Sequence, residues 1–563
     1  MCKIKMEKVP SFNMLLQDAI RKHWELPSMS DYGINTFRYK DVARVIEKLH
    51  ILYEQSGIQK GDKISICGKN SSRWGIAFFS VVTYGAVAVP ILHEFHPNQV
   101  HDIVNHSESK LLFIGEREWA NLSADAMPGL NGIIGINDYE ILHSKTDNLV
   151  LARENLNKLF GERHPNTFRP EDVVYHQDQA EELAIINYTS GTTSNSKGVM
   201  IPYRALWSNM DFGIDAIGKY VQPGDRVLSM LPMAHMYGMA FEFIFEFISG
   251  MHVNFLTKMA SPTILLKALA EVKPVIIVMV PLIIEKIVRK SILPKIQDPK
   301  VKMLMKMPVI GQSIKKKICD GLTQALGGNF YEVIIGGAAL NQDVENLLRE
   351  IKFPFTIGYG ATECAPIITY SDFKEAKATS CGKVVRNMEL KIDSPDPQNV
   401  PGEILTRGLN VMLGYYKNEE ATSTTLDSEG WYHTGDLGVI DNEGYVYIKG
   451  RSKNMLLGAN GQNIYPEEIE DKLSNMTLVQ ECVVIQNKET HKLYGLVYPD
   501  QEKVTKLGLT PEDVKAIMEQ NRKELNPNIP NYAQLSGIKV MDKEFEKTPK
   551  KSIKRFLYMN TEV

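Results

Sequence analysis

The sequence predicts an α/β protein. It has a large N-terminal part of several subdomains, with helix-flanked sheets and a small β unit, and then a small α+β part. Three observations carry that reading. Short apolar runs alternate with helix-length stretches over 63–114 and again over 183–279, as helices layered on a buried sheet require. Glycines follow directly on β-rich runs at 336–337 and 358–360, the place where such sheets present ligands. After 385 short strands are joined by Asp/Asn-Gly turns, and after 450 helices return.

Taken in order, residues 11–58 read as mostly helical, with a short polar crossing near 28–38. Ile64–Cys67 is a strand. Trp74 to Leu92 is the longest apolar run, interrupted by Ser80, Thr83, Tyr84, Gly85 and Pro90. It reads as a buried helix over 72–84 leading into a buried strand at 87–90 rather than as a membrane span. A helix over 97–107 and a strand at 111–114 follow. The pattern resumes with strand 183–187, helix 203–216, strand 226–230, helix 237–248, and strands at 251–255 and 275–279. Strands 331–335 and 355–357 end in the glycine turns. Strands at 402–405, 437–440 and 445–448, with DNEG at 441–444 as a hairpin turn, make 386–449 a small all-β unit. The last stretch reads as helix 466–475, strands 481–486 and 493–498, helix 510–523 and strand 536–541. No internal repeat or long linker is visible.

The 563 residues allow three or four packing units. Composition is that of a globular protein, 44% hydrophobic and 23% charged. Lys plus Arg is 64 against 67 Asp plus Glu, a net charge of −3, which gives no reason to expect nucleic acid. Cys2, Cys67, Cys319, Cys364, Cys381 and Cys482 are scattered with no CxxC pair, so neither a structural zinc site nor a disulfide framework is expected. The N-terminal MCKIKMEKVPSF lacks the apolar stretch of a signal peptide. A reducing cytoplasm is the expected setting.

The run YTSGTTSNSKG at 188–198 surrounds one lysine with two glycines and six Ser/Thr hydroxyls. Glycines let backbone N–H groups turn toward an anion, hydroxyls donate further bonds, and Lys197 adds a point charge. The loop lacks the GxxxxGK[ST] spacing of a Walker A motif. Standing alone it is equally well an exposed Ser/Gly connection.

Six further segments follow in order. They are LPMAHMYG at 231–238, IIGGAAL at 334–340, GYGATECAP at 358–366, GEILTRGLNVMLGYY at 402–416, WYHTGDLG at 431–438 and IKGRSKNMLLGANGQNIYPEEIE at 448–470. The ordered series resembles the adenylate-forming (AMP-binding) superfamily over nearly the whole chain, with bacterial long-chain fatty acid–CoA ligases the nearest-looking branch. The resemblance implies an AMP-binding domain over 1–450, containing the β unit at about 386–449, and a mobile C-terminal domain over 451–563 with its hinge near 451–453. It implies ATP, Mg2+ and coenzyme A, and a fatty acid activated to acyl-AMP and then transferred to CoA, with release of AMP and pyrophosphate.

On that resemblance Thr189, Ser190, Gly191, Thr192, Thr193 and Lys197 would hold the β- and γ-phosphates. Glu363 would hold magnesium, and Thr362 would contact the α-phosphate. Asp436 would accept both ribose hydroxyls, and Arg451 would add a ribose or phosphate contact. Tyr359 and Gly360 would flank one adenine face, Gly337 and Ala338 the other. His235 would organise the acyl carboxylate and the approach of CoA. Lys453 occupies the hinge position, and Gly461 lies beside the pantetheine path. Each has a plainer reading as a turn, a cap or a core residue.

The chain departs from the family near its C-terminus. Many members end T-x-x-G-K-I-x-R, whereas here the segment is Thr548-Pro-Lys-Lys-Ser-Ile-Lys-Arg555, which puts Ser552 at the lysine position. Lys550, Lys551 and Lys554 are the neighbouring cations, and Lys551 is the chosen substitute. That departure keeps open a protein that binds adenylates with impaired catalysis. The acceptor is also open between free CoA and an acyl carrier protein.

MYGMAFEFIFE at 236–246 is mostly apolar, with Glu242 and Glu246 read as facing away from the acyl pocket and Met239 near the place of an acyl gate. Residues 286–317 hold ten Lys/Arg and one acid, Asp298, interleaved with apolar side chains. Such a surface suits an anionic membrane face, an acidic carrier protein or plain solvation.

Overall fold

The structure, a computed structural model, describes residues 9–189, 196–257, 261–296, 299–457, 462–487, 490–548 and 553–563. Among these residues the largest sheet has eight strands. From edge to edge they are Gly414–Tyr415, Lys197–Pro202, Leu183–Thr189, Val87–Ile91, Lys63–Cys67, Leu111–Ile114, Gly132–Gly135 and Ile141–Ser144. Its centre is parallel and wholly buried, which is why those strands read as unbroken apolar runs.

The apolar run from Trp74 divides into helix Ser72–Tyr84 and strand Val87–Ile91. The Ser71 hydroxyl caps the helix by accepting from the Trp74 N–H, and Gly85 ends it at φ +87°, a conformation that favours glycine. No helix among the described residues is long and apolar enough to cross a membrane. Phe79 stacks on Phe243 at 4.5 Å and meets Phe247 at 4.7 Å, fixing helix 72–84 against the segment Met236–Ile248. Each fully buried aromatic of this kind contributes about 1.5–3 kcal/mol, so the seam is stiff.

The polar crossing near 28–38 is a departure from expectation. Pro27–Asp31 and Thr36–Arg38 are strands that complete a four-stranded sheet with Arg226–Ser229 and His252–Phe255. The pattern hid them because two of the three buried positions of the first, on either side of Met29, are serines whose hydroxyls are satisfied. Ser28 Oγ donates to the Phe37 carbonyl at 2.9 Å, and Ser30 Oγ lies 2.7 Å from His252 Nε2.

A parallel trio, Ile277–Met279, Val333–Ile335 and Phe355–Ile357, carries the two glycine turns at the C-terminal ends of its last two strands. The antiparallel sheet Met388–Asp393, Gly402–Gly408, Tyr432–Ile440 and Val446–Arg451 forms most of the expected β unit. That unit is not wholly β, since Glu419–Ser423 is a helix and Gly414–Tyr415 leaves to edge the eight-stranded sheet. Beyond it, strands Val479–Gln486, Leu493–Pro499 and Leu535–Val540 pack with helices Pro466–Ser474 and Pro511–Leu525 around apolar clusters of their own. The architecture is therefore mixed α/β, with a large N-terminal domain and a small C-terminal domain.

Candidate active site

The glycine-rich run at 188–198 joins two antiparallel strands, Leu183–Thr189 and Lys197–Pro202. The second of these was not read from the sequence. Thr189 and Lys197 are register partners, so both ends of the loop start from one rung of the sheet. Ser190, Gly191, Thr192 and Thr193 lie outside the described residues, as do Gly461 and Lys551.

The Lys197 ammonium sits 4.7 Å from the ring centre of Tyr415, which lies on the neighbouring edge strand. The Tyr415 hydroxyl donates to Glu363 Oε1 at 2.9 Å. Burial and the Glu363 charge push the Tyr415 phenol well up, so it stays a donor. Lys197, Tyr415 and Glu363 thus form one connected line. Tyr415 was missed as a site residue although it stands in the quoted run ending GYY, because only its packing beside Lys197 reveals it.

Glu363 and Thr362 belong to the short helical turn Thr362–Cys364 that follows Tyr359–Gly360. Two buried asparagines hold this turn. Asn209 accepts from the Ile367 N–H at 3.1 Å and donates to the Cys364 carbonyl at 3.3 Å. Asn410 donates to the Ile367 carbonyl at 2.7 Å. Gly360 admits no side chain, since a Cβ there would stand 2.1 Å from the Pro366 carbonyl oxygen.

Asp436 lies opposite Arg451 across strands Tyr432–Ile440 and Val446–Arg451. Its Oδ1 takes Arg451 Nε at 2.9 Å, and its Oδ2 accepts from the Tyr359 hydroxyl at 2.7 Å. Asp436 is buried while the Arg451 side chain is largely exposed. Burial raises the Asp436 carboxyl above its usual value, and Arg451 and Tyr359 hold part of that rise back. The same pairing raises the Arg451 guanidinium. The Glu363 charge is also felt at Asp436 and Arg451, so the two acids share one neighbourhood. A second unforeseen residue, Glu403, fixes the HTGD turn by accepting from the Gly435 N–H at 2.9 Å and pairing with His433 Nδ1 at 3.0 Å. It lies in the quoted GEIL segment.

Gly337 has φ +86° in the turn after Val333–Ile335, and with Ala338 and Ala339 it is exposed. Behind it, the Tyr237 hydroxyl donates to the Ile334 carbonyl at 3.2 Å, and a Cβ on Gly336 would meet that ring at 3.1 Å. His235 caps the helix that carries Tyr237, its Nδ1 accepting from the Tyr237 N–H at 3.2 Å. Lys453 is exposed in the turn Ser452–Asn454, directly after Arg451. Lys554 reaches Glu546 at 3.5 Å, and Lys547 pairs with Glu481 and Glu544.

In the segment after His235, Glu242 and Glu246 are both buried, each 2% exposed. A π turn at Ala240–Ile244, with Phe241 off helical geometry, breaks the simple helical register. Glu242 Oε2 accepts from the Met230 and Leu231 N–H groups at 2.8 and 2.6 Å, closing the end of strand Arg226–Ser229. Burial pushes the Glu242 carboxyl well up and that of Glu246 to about 8. Met239 is completely buried.

Residues 16–416 match the AMP-binding enzyme family, and residues 453–561 match the AMP-binding enzyme C-terminal domain. Similar curated proteins include the long-chain-fatty-acid–CoA ligase FadD15 of Mycobacterium bovis, 28% identical over 76% of this chain and 72% of its own. The human long-chain-fatty-acid–CoA ligase ACSBG2 is 26% identical over 82% and 70%. Among solved structures, the anthranilate CoA ligase AuaEII in complex with anthranoyl-AMP superposes with a TM-score of 0.77 at 20% identity, covering 98% of each chain. A Mycobacterium tuberculosis fatty acyl CoA synthetase gives 0.65 at 21%, covering 98% and 99%. With both family segments matched in order over a shared fold, this chain belongs to the AMP-binding enzyme family.

Proposed function

We propose that the protein is an AMP-forming acyl-CoA ligase whose acid is a fatty acid. The observation that carries the reading is the buried Asp436 carboxylate, held by Tyr359 and Arg451 beside the glycine turns and within the field of Glu363. Both oxygens already accept one bond, and an ionised carboxylate offers about four lone-pair sites, so two vicinal ribose hydroxyls can still be taken. The exposed backbone at Gly337 and Ala338, with Tyr359 and Gly360 opposite, would receive the flat adenine. Lys197 and Thr189, at the root of their loop, would meet the β- and γ-phosphates, and Thr362 the α-phosphate.

Glu363 would hold Mg2+. Among the described residues no three His, Cys, Asp or Glu side chains converge on a metal position. One hard carboxylate, with phosphate oxygens and water completing the shell, suits this ion. When bound, it offsets negative charge on the departing pyrophosphate.

In the first half of the reaction a carboxylate oxygen of the acid attacks the α-phosphorus and the bond to the pyrophosphate oxygen breaks. The acid is already ionised at neutral pH, so His235 need only orient it by hydrogen bonding. In the second half the sulfur of CoA attacks the acyl carbon and AMP leaves. Lys453 would serve the change of domain position between the halves, and Gly461 would leave room for the pantetheine arm of CoA. The fatty acid is supported by the relatives named for long-chain substrates and by the apolar Met236–Ile248 segment behind His235.

The test is AMP release from ATP with carboxylates from acetate to oleate, with and without CoA. CoA-dependent release with fatty acids alone is the expected result. AMP release only with holo-acyl carrier protein would move the acceptor, and nucleotide binding without turnover would favour the impaired reading that Ser552 raises. Changing Lys551 to Ala should lower acyl-AMP formation at least about tenfold, as expected for loss of a positioned cation. An unchanged adenylation rate would rule Lys551 out.

A further inference from the structure

The crossover from Ile277–Met279 to its parallel neighbour Val333–Ile335 is far longer than one helix needs. It contains helices Pro281–Ser291, Leu293–Ile296, Pro299–Met305 and Pro308–Ala325. It starts at the site, because Val280 Cγ1 would lie 3.7 Å from a Cβ on Gly337. Its most exposed apolar side chains, Met303 and Val309, lie at the turn between the last two helices.

That turn is built with its apolar side chains divided between two faces. Met305 is buried in the cluster under the crossover, and Ile314 and Ile318 pack against the same cluster. Gly311 lets the turn close, since a Cβ there would stand 2.2 Å from the Met305 carbonyl oxygen. The remaining apolar residues point outward. Met303 is 73% exposed and Val309 82%, with Leu304, Met307 and Ile310 exposed between and beside them. Elsewhere the exposed large apolar residues are mostly scattered, whereas here five fall within eight positions. Lys306, Lys316 and Lys317 are exposed around them, while Lys315 is paired to Glu350 at 3.0 Å. Asp320 is the acid exposed one turn further on.

We infer that this turn docks on an anionic lipid surface, with Val309, Ile310, Met303 and Met307 entering the headgroup boundary and the lysines meeting lipid phosphates. An acidic protein partner would account for the lysines but would leave the outward apolar cluster without a role. Apolar insertion ringed by cations is the chemistry of interfacial helices. The inference is independent of the acid that the enzyme activates, and its test reads binding rather than turnover.

The experiment is co-sedimentation of the full chain with phosphatidylcholine vesicles, with and without about one-third phosphatidylglycerol, at about 0.05 M and about 0.5 M salt. Binding at least tenfold stronger on the anionic vesicles at low salt is expected. Each lysine near such a surface is worth about fivefold, so the triple change Lys306→Gln, Lys316→Gln and Lys317→Gln should lose more than tenfold. Val309→Asn with Ile310→Asn keeps every charge and should also lose about tenfold. Circular dichroism and Tm should match the parent for both, since the changed side chains are exposed. Absence of sedimentation on anionic vesicles at low salt overturns the inference. So does full binding by the Val309/Ile310 variant, which would leave a purely electrostatic surface suited to an acidic protein.

Discussion

Two groups of buried acids, one on the strand Tyr432–Ile440 and one on the helical segment Met236–Ile248, have opposite surroundings. Asp436 has a cation and a phenol on its two oxygens, and the cation is open to solvent. Glu242 and Glu246 are as deeply buried, but among the described residues no cation is bonded to either and each has an oxygen without a partner. Burial raises all three carboxyls. Backbone N–H groups offset part of the rise at Glu242, but of the three only Asp436 has a cation to favour its charge and help it take a polar ligand. Burial pushes both glutamates toward the neutral form, with no cation to draw them back. Depth of burial alone therefore separates nothing; what occupies the carboxylate oxygens does.

The strongest way to break this comparison is Asp436→Asn. It keeps the shape but loses the charge and half of the acceptor capacity, so ATP and AMP affinity should fall about a hundredfold by equilibrium dialysis. Next is Arg451→Met, which leaves Asp436 buried with Tyr359 alone. Nucleotide affinity should fall about tenfold, and its acid limb should move to higher pH because the carboxyl rises further without the guanidinium. An acid limb that stays in place would mean that Arg451 does not set the Asp436 ionisation. Tyr359→Phe removes one neutral donor, for a loss of roughly fivefold in AMP affinity.

The smallest effect on activity, and the one that sharpens the contrast, is Glu246→Gln. The folded protein binds this proton up to about pH 8, the unfolded chain only to about 4.5. Glu246 therefore makes stability fall as pH rises between those values and adds no further loss above them. The glutamine variant should keep its turnover and flatten that part of the Tm profile by roughly a few degrees. An unchanged Tm slope would show that Glu246 does not titrate in this window.

Legibility differed by element for physical reasons. Helix 72–84 and helix 203–216 could be read to the residue, the first because its Ser71 cap and Gly85 stop agree with its apolar spacing, the second because it begins directly after Pro202. Strands Pro27–Asp31 and Thr36–Arg38 could not, since buried serines with satisfied hydroxyls look like a polar loop. At the site, Tyr359, Asp436, Arg451, Glu363 and Lys197 lie in segments whose composition suggested chemistry. Tyr415 and Glu403 act only through partners far away in sequence, Glu363 and Gly435. The burial of Glu242 and Glu246 was not legible either, because a π turn takes the segment off a simple helical wheel.

The pairing of Thr189 with Lys197 has a consequence for tolerated change along the chain. Residues inserted within 190–196 would lengthen the loop and leave both of its roots on the same rung. One residue removed from Lys197–Pro202 would slip that strand by one position and turn the lysine to the opposite face of the sheet. Variation in length should accordingly collect before Lys197 and stop there.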